Sequence, residues 1–162
     1  MLRFSASFSI IAFLSFFIHS AGAATKNKLI GIWQDAPVIA SGWGDVYRFF
    51  ESGKFIFNAN QMECDKRLLE YSGLWKITEN VLTLEIKSRT VLKGGKEIEA
   101  TGSCGSDVEI EGGKKVKETL KQSKVIKLKL SRIKFDEEFK HSVIRLNGIR
   151  YWKHRDDPED YQ

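Results

Sequence analysis

Few side chains in this sequence have the types and spacing that enzymatic catalysis requires. Of its three histidines, His141 and His154 lie in the part expected to fold. No segment matches a nucleophile elbow, a metalloprotease pair of histidines or a phosphate-binding loop. Cys64 stands between Glu63 and Asp65, whose negative charges disfavour the thiolate that a nucleophilic cysteine needs. The sequence therefore predicts a protein that is not an enzyme, without catalytic residues and without a cofactor.

The two cysteines, Cys64 and Cys104, suit a disulfide better than a metal site. Neither has a second cysteine or a histidine at the short spacing typical of a zinc site, so no metal is expected. Export, indicated below, permits a disulfide, which would close a long loop and restrict the unfolded chain. Two free, buried thiols are the alternative, because the strands of a simple meander need not bring both positions within bridging distance.

The first residues have the organisation of a cleavable secretory signal peptide. Arg3 supplies an early positive charge, an apolar run follows over Phe4–Ile18, and small residues end the segment. Because the run is short for a bilayer span of about 20 residues, a retained membrane anchor is the less favoured alternative. We therefore divide the chain into a signal peptide at 1–23, one folded domain at 24–154 and an acidic tail at 155–162. The localisation expected is periplasmic or secreted, with no segment spanning the membrane after cleavage.

Aromatic residues supply the candidates for a ligand site. Trp43 stands between glycines after a loop at 34–42 that would act as a lid, and a loop tryptophan often contacts partners. Five further aromatics would form a cup for a small apolar or amphipathic ligand if they line an open cavity. If they fill the interior instead, they serve as core, and a small-molecule carrier is disfavoured. The candidate ligand-binding residues are Trp43, Tyr47, Phe49, Phe55, Phe57 and Trp75.

A basic run follows in the second half of the chain. Between 114 and 134 there are nine lysines and arginines against one acidic residue, Glu118. Such a stripe can bind an anionic glycan, lipid head groups or an acidic protein, whereas nucleic acid is not expected outside the cytoplasm. The alternative is a solvated face, or a strand edge protected by charge. The candidate basic face consists of Lys124, Lys127, Lys129 and Lys134.

Alternation of apolar and polar residues dominates the elements that must position these side chains. Leu82, Leu84 and Ile86 alternate with Thr83 and Glu85, as in a strand with one buried face. In the predicted strand at 124–134, Arg132 falls on the face that is otherwise apolar, which indicates a β-bulge or an inward arginine with a specific partner. Strands are predicted near 29–34, 43–50, 54–59, 70–78, 81–92, 96–101, 107–111, 124–134, 141–146 and 149–154. Residues 115–123 are predicted to form a short helix or a mobile loop.

Short turns join these strands into consecutive hairpins, and Asn147–Gly148 is a strong hairpin signal. An open meander would leave two exposed edges, and closure into a barrel removes them. The fold predicted is all-β, an antiparallel up-and-down β-barrel of about eight to ten strands. We expect a monomer.

Three segments resemble the lipocalin-like, or calycin-type, secreted barrels: LIGIW at 29–33, YRFFESGKF at 47–55 and GLWKI at 73–77. The last two resemble small bacterial lipocalin-like domains of largely unknown function. The resemblance implies that Gly31 and Trp33 belong to the first barrel strand, with Trp33 packed across the closed end. It also implies that an arginine from a late strand covers this tryptophan. Arg145 and Arg150 are both candidates for that role.

Two functions are compatible with these features. The resemblance and the aromatic residues predict an exported binding protein that holds a small apolar or amphipathic ligand in the barrel mouth. The alternative is a solid-barrel interaction module, an inhibitor or an envelope-associated protein. Such a module would bind an anionic envelope glycan or another exported protein through its loops or the basic strand face at 124–134. The room inside the barrel distinguishes the two.

Overall fold

The computed structural model describes residues 26–38, 43–102 and 104–161. Eleven strands occupy most of these residues. They are β1 (Gly31–Gln34), β2 (Val46–Phe49), β3 (Lys54–Asn58), β4 (Leu68–Thr78), β5 (Val81–Lys93), β6 (Lys96–Glu99), β7 (Val108–Glu111), β8 (Lys114–Lys129), β9 (Lys134–Asp136), β10 (His141–Leu146) and β11 (Ile149–Arg155). The predicted signal peptide at 1–23 and residues 39–42 of the predicted lid lie outside the described residues. Within the described part, no helix is long and apolar enough to cross a bilayer.

Nine of the strands form one antiparallel sheet in the order β8-β5-β4-β3-β2-β1-β11-β10-β9. The sheet curls back on itself, because Leu130 at the end of β8 bridges Leu146 of β10. After a short link, β9 continues the path of β8 and pairs with β10. The all-β, up-and-down barrel predicted from the alternation is therefore confirmed. β6 and β7 form a separate two-stranded hairpin.

The segment predicted to be a helix or a mobile loop, residues 115–123, belongs to β8 instead. Val116 and Leu120 are half-buried, whereas Lys117 and Lys121 are exposed. The long strand β5 pairs with this part of β8, across an irregularity in register. A distant strand thus supplies backbone hydrogen bonds that a helix would have made locally, and the prediction was wrong because it considered local residues alone.

The link between β8 and β9 contains a change of register at Arg132. Val143 pairs with Lys134, and Leu146 bridges Leu130. The three-residue interval from Val143 to Leu146 on β10 therefore lies opposite a four-residue interval from Leu130 to Lys134. Arg132 itself is exposed. The inward arginine is therefore wrong, and the extra residue lies in the link at 131–133, which belongs to no strand.

Candidate functional site

Five of the six predicted ligand-binding aromatics lie inside the barrel. β2 and β3 pair Tyr47 with Phe57 and Phe49 with Phe55, and all four side chains are at most 7% exposed. Trp75 of β4 is 4% exposed. Ring centroids are 4.8 Å apart for Tyr47 and Phe57, and 5.2 Å for Phe49 and Trp75. These side chains pack against one another as core, and ligand binding by them stays a prediction.

Two tyrosines that were not predicted as site residues complete this interior. Tyr71 stacks on Phe57 with centroids 4.4 Å apart, and its hydroxyl is 2.9 Å from the hydroxyl of Tyr47. Tyr151 meets Tyr47 edge-on at 5.4 Å. Burial raises the pKa of all three hydroxyls, so they stay neutral. The even spacing from Trp75 within the predicted strand was the signal that could have found Tyr71.

Trp33 lies fully buried at the start of the barrel wall. Its indole N–H donates a hydrogen bond of 2.7 Å to the carbonyl of Leu29. β1 pairs Trp33 with Lys153 of β11, and the Lys153 ammonium lies 5.8 Å from the indole centroid. Gly31 comes so close to β11 that a Cβ there would collide with the carbonyl of Arg155. Gly31 and Trp33, the two residues of β1 on which the lipocalin-like resemblance depends, therefore both have structural roles.

Neither predicted arginine covers Trp33, so that expectation is corrected. Arg145 donates a hydrogen bond to the carbonyl of Gly148 in the β10–β11 turn. Arg150 lies over Trp152, 5.2 Å from its ring centroid. Both arginines are exposed, because their places in the alternation of β10 and β11 direct them outward. Lys153 has the inward place that the resemblance assigned to an arginine.

Trp43 differs from the other tryptophans because it is 61% exposed. Val38, on the same loop between β1 and β2, is 66% exposed. The backbone N–H of Asp45 donates a 2.9 Å hydrogen bond to the Asp35 carboxylate, which ties the two ends of the loop together. Burial, with the nearby charge of Asp45, raises the pKa of Asp35. The loop offers apolar side chains to solvent, and its action as a lid stays a prediction.

The predicted disulfide between Cys64 and Cys104 is confirmed, with the two Cα atoms 5.8 Å apart. It ties the loop between β3 and β4 to the loop of the β6–β7 hairpin. Glu109 lies beside the two sulfurs. Metals bind thiolates, and both sulfurs are used in the disulfide. The bond therefore fixes the connection between β5 and β8 against the barrel wall.

His141 and His154 lie side by side on the outer face of β10 and β11, with ring centroids 5.0 Å apart. A ring nitrogen of His154 is 2.9 Å from the carbonyl of Ala36. Burial, with smaller effects of His141 and Arg155, lowers the pKa of His154. Among the described residues, no third histidine, cysteine or carboxylate stands close enough to complete a metal site with this pair.

The predicted basic face lies mainly on β8. This strand has seven lysines and one glutamate, and all seven lysines are exposed. Glu118 is already paired with Lys93 and Arg89 at 2.6 and 2.7 Å, and these hydrogen bonds lower its pKa. No lysine of β8 forms an ion pair with a residue that the structure describes. Lys134 lies beyond the bend, on β9.

β8 accounts for the whole positive charge of the chain. The sequence has 26 basic and 21 acidic residues, and without the seven lysines and one glutamate of β8, 19 and 20 remain. The excess is therefore confined to one strand, whereas the rest of the molecule is nearly balanced.

An apolar groove of about 730 Å³ runs beside these lysines on the outer face of β4, β5 and β8. Its lining includes the apolar side chains of Leu74, Val81 and Val125 and charged side chains of both signs: Lys76, Lys127, Glu79 and Glu85. Leu74 is 38% and Val125 is 55% exposed. The surface beside β8 thus combines exposed apolar side chains with lysines and with the two glutamates of the groove.

Comparison of the chain with protein-family models, with curated proteins and with solved structures gave no match in any of the three. The antiparallel barrel that the lipocalin-like resemblance implied is present, but no relative supports membership of that family.

Proposed function

We propose that the protein is an interaction module that binds an acidic partner protein through the basic strand β8. The observation that carries this proposal is the set of seven exposed lysines without an ion pair among the described residues. Concentrated charge of one sign raises the local concentration of an oppositely charged partner and speeds association. The packing of the barrel aromatics against one another favours this outer surface over an internal ligand.

Export is part of the same proposal. The signal-like segment at 1–23 and the Cys64–Cys104 disulfide both suit a protein that works in an oxidising compartment. A lipocalin-like barrel is the architecture we propose for it, supported by the up-and-down topology and by the covered tryptophan of β1.

An acidic protein fits the surface better than an anionic glycan does. The groove places the apolar side chains of Leu74, Val81 and Val125 among charged side chains of both signs, Lys76, Lys127, Glu79 and Glu85. A sulfated or uronic glycan presents many charges and little apolar surface, whereas a polypeptide can present both at once. Burial of apolar area would add affinity that salt does not screen.

Binding of fluorescent polyglutamate and of fluorescent heparin, measured by anisotropy over a series of salt concentrations, tests the proposal. We expect the double variant Lys127→Glu/Lys129→Glu to bind polyglutamate roughly tenfold more weakly, with a shallower salt dependence. The matched control is Lys54→Glu/Lys140→Glu, which makes the same change in net charge at exposed positions on β3 and in the turn between β9 and β10. Equal losses in the two variants would mean that net charge, and not β8, determines binding.

Other outcomes decide between partners. Preference for heparin over polyglutamate at physiological salt would replace the acidic protein with a glycan. Absence of binding to both probes at low salt would overturn the proposal.

A further inference from the structure

One long edge of β8 has no neighbouring strand among the described residues. β8 pairs with β5 along its length, and on its other side it meets only β10, at the bridge between Leu130 and Leu146. The edge over residues 114–128 is therefore free of ladder hydrogen bonds within the described structure. Such an edge is a template for another strand.

Hydrogen bonds at the end of β8 show which backbone groups point out of this edge. The N–H of Lys129 donates to the Asn147 side chain at 2.7 Å, and its carbonyl accepts from the Asn147 N–H at 3.0 Å. The N–H of Leu130 points the opposite way, to the carbonyl of Asn80 beside β5. Because backbone groups alternate along a strand, those of Val125 and Lys127 point outward with those of Lys129. The register is regular here, from Lys124 to Lys129.

The side chains on the two faces of this edge differ in chemistry. On the outer face, Val125 is 55% exposed and the lysines 127 and 129 are exposed. On the inner face, Ile126 and Leu128 are only half-buried, because no strand closes the barrel beside them. An added strand would therefore meet lysines on one face and incompletely buried apolar side chains on the other.

A second copy of β8 is a poor occupant of the edge. Two copies paired side by side would bring lysines opposite lysines, and like charges directly opposite in a sheet are destabilising. The same lysines attract an acidic strand. Charge thus selects against self-pairing and for a partner of opposite sign.

We propose that the free edge of β8 around Val125–Lys129 accepts an extended segment of the partner as an added strand. The segment alternates acidic residues, which face Lys127 and Lys129, with apolar residues, which cover Ile126 and Leu128. This proposal rests on the proposed function and specifies how the acidic partner is bound. Main-chain hydrogen bonds supply affinity, and the alternation supplies specificity.

A pair of peptides of identical composition tests the binding mode: one alternates glutamate and valine, and the other has all glutamates before all valines. We expect the alternating peptide to bind roughly tenfold more tightly, because only it matches the two faces of β8. Val125→Pro removes an outward N–H and keeps every lysine, and we expect it to weaken alternating-peptide binding roughly five- to tenfold. Val125→Thr, which keeps the N–H, is the matched control.

Amide hydrogen exchange in the unmodified protein gives a readout that does not depend on a folded proline variant. We expect the alternating peptide to slow exchange at Val125 and Lys127, while Ile126 and Leu128, which face β5, are protected with or without it. Equal binding of both peptides with unchanged exchange at Val125 and Lys127 would overturn strand addition and leave charge-based binding intact. Failure of polyglutamate and heparin to bind would instead remove the proposed function.

Discussion

β5 and β8 lie side by side in one sheet, yet they differ in how their edges and faces are covered. β5 has β4 on one edge and β8 on the other, whereas the far edge of β8 meets β10 only at its end. The inward residues Leu82 and Leu84 of β5 are 0% exposed, but Ile126 and Leu128 of β8 are half-buried. β5 has two lysines, one arginine and one glutamate, a net charge of +2, whereas β8 has seven lysines and one glutamate, a net charge of +6.

The difference shows that alternation of apolar and polar residues does not reveal whether a second strand covers the edge of a strand. Both strands place apolar residues on one face, and both lie in the barrel sheet. On β5, which has a neighbouring strand on both edges, charges of both signs leave only a small net charge. Where no partner covers the edge, lysines take over the task of keeping unrelated strands away.

The largest expected effect comes from truncating the inward face of each strand. Leu84→Ala should destabilise the protein by about 2–5 kcal/mol, because it leaves a cavity in a fully buried site. Leu128→Ala should cost about 1–2 kcal/mol, since water already reaches its side chain. Urea unfolding of both variants measures the two free energies. Equal losses would mean that the inner face of β8 is as well covered as that of β5.

Removing the lysine charges of the β8 edge should have a smaller effect on the free energy of unfolding, but it should cause the protein to self-associate. The triple variant Lys124→Thr/Lys127→Thr/Lys129→Thr should unfold within about 0.5 kcal/mol of the parent protein, yet self-associate through its free edge. Sedimentation velocity at several concentrations detects the association. The control replaces Lys54, Lys76 and Lys87 with threonine, and it should sediment like the parent. A triple β8 variant that also sediments like the parent would show that lysines do not protect the edge.

The effect of pH on stability acts through His154 of β11, away from the free edge of β8. Burial lowers the pKa of His154 below the ordinary histidine value of 6.5, so the folded state binds this proton less readily than the unfolded state does. Stability is therefore fully present above pH 6.5 and falls as the pH drops below it, by at most about 1.4 kcal/mol per pH unit. Urea unfolding between pH 5 and 8 measures the slope, which His154→Gln should reduce. An unchanged slope in that variant would assign the effect to other groups.

Local pattern was sufficient to predict the strands, the hairpins and the class of fold. Alternation placed Leu82, Leu84 and Ile86 on one face, and they are buried. The pairing of Cys64 with Cys104 was also predicted, because two cysteines of an exported domain have few other partners.

Features that depend on distant residues were not predicted. Whether Lys153 or an arginine covers Trp33 depends on the register between the first and last strands. The N-terminal part of β8, residues 115–123, is a strand because β5 is long enough to pair with it. The free edge exists because the β10–β11 turn at Asn147 reaches only the end of β8. Register and stagger are properties of the closed sheet, so no local window contains them.

The pairing of β1 with β11 has a consequence for the timing of folding. Trp33 lies beside Lys153 in the sheet, so the first strand of the barrel has a neighbour that is 153 − 33 = 120 residues further along the chain. Until β11 has been made, a growing chain can form the hairpins in its middle but cannot close the wall around Trp33. Pairings between residues so far apart in sequence form slowly. Closure of the wall around Trp33 is therefore expected to be a late step of folding, after the hairpins in the middle of the chain have formed.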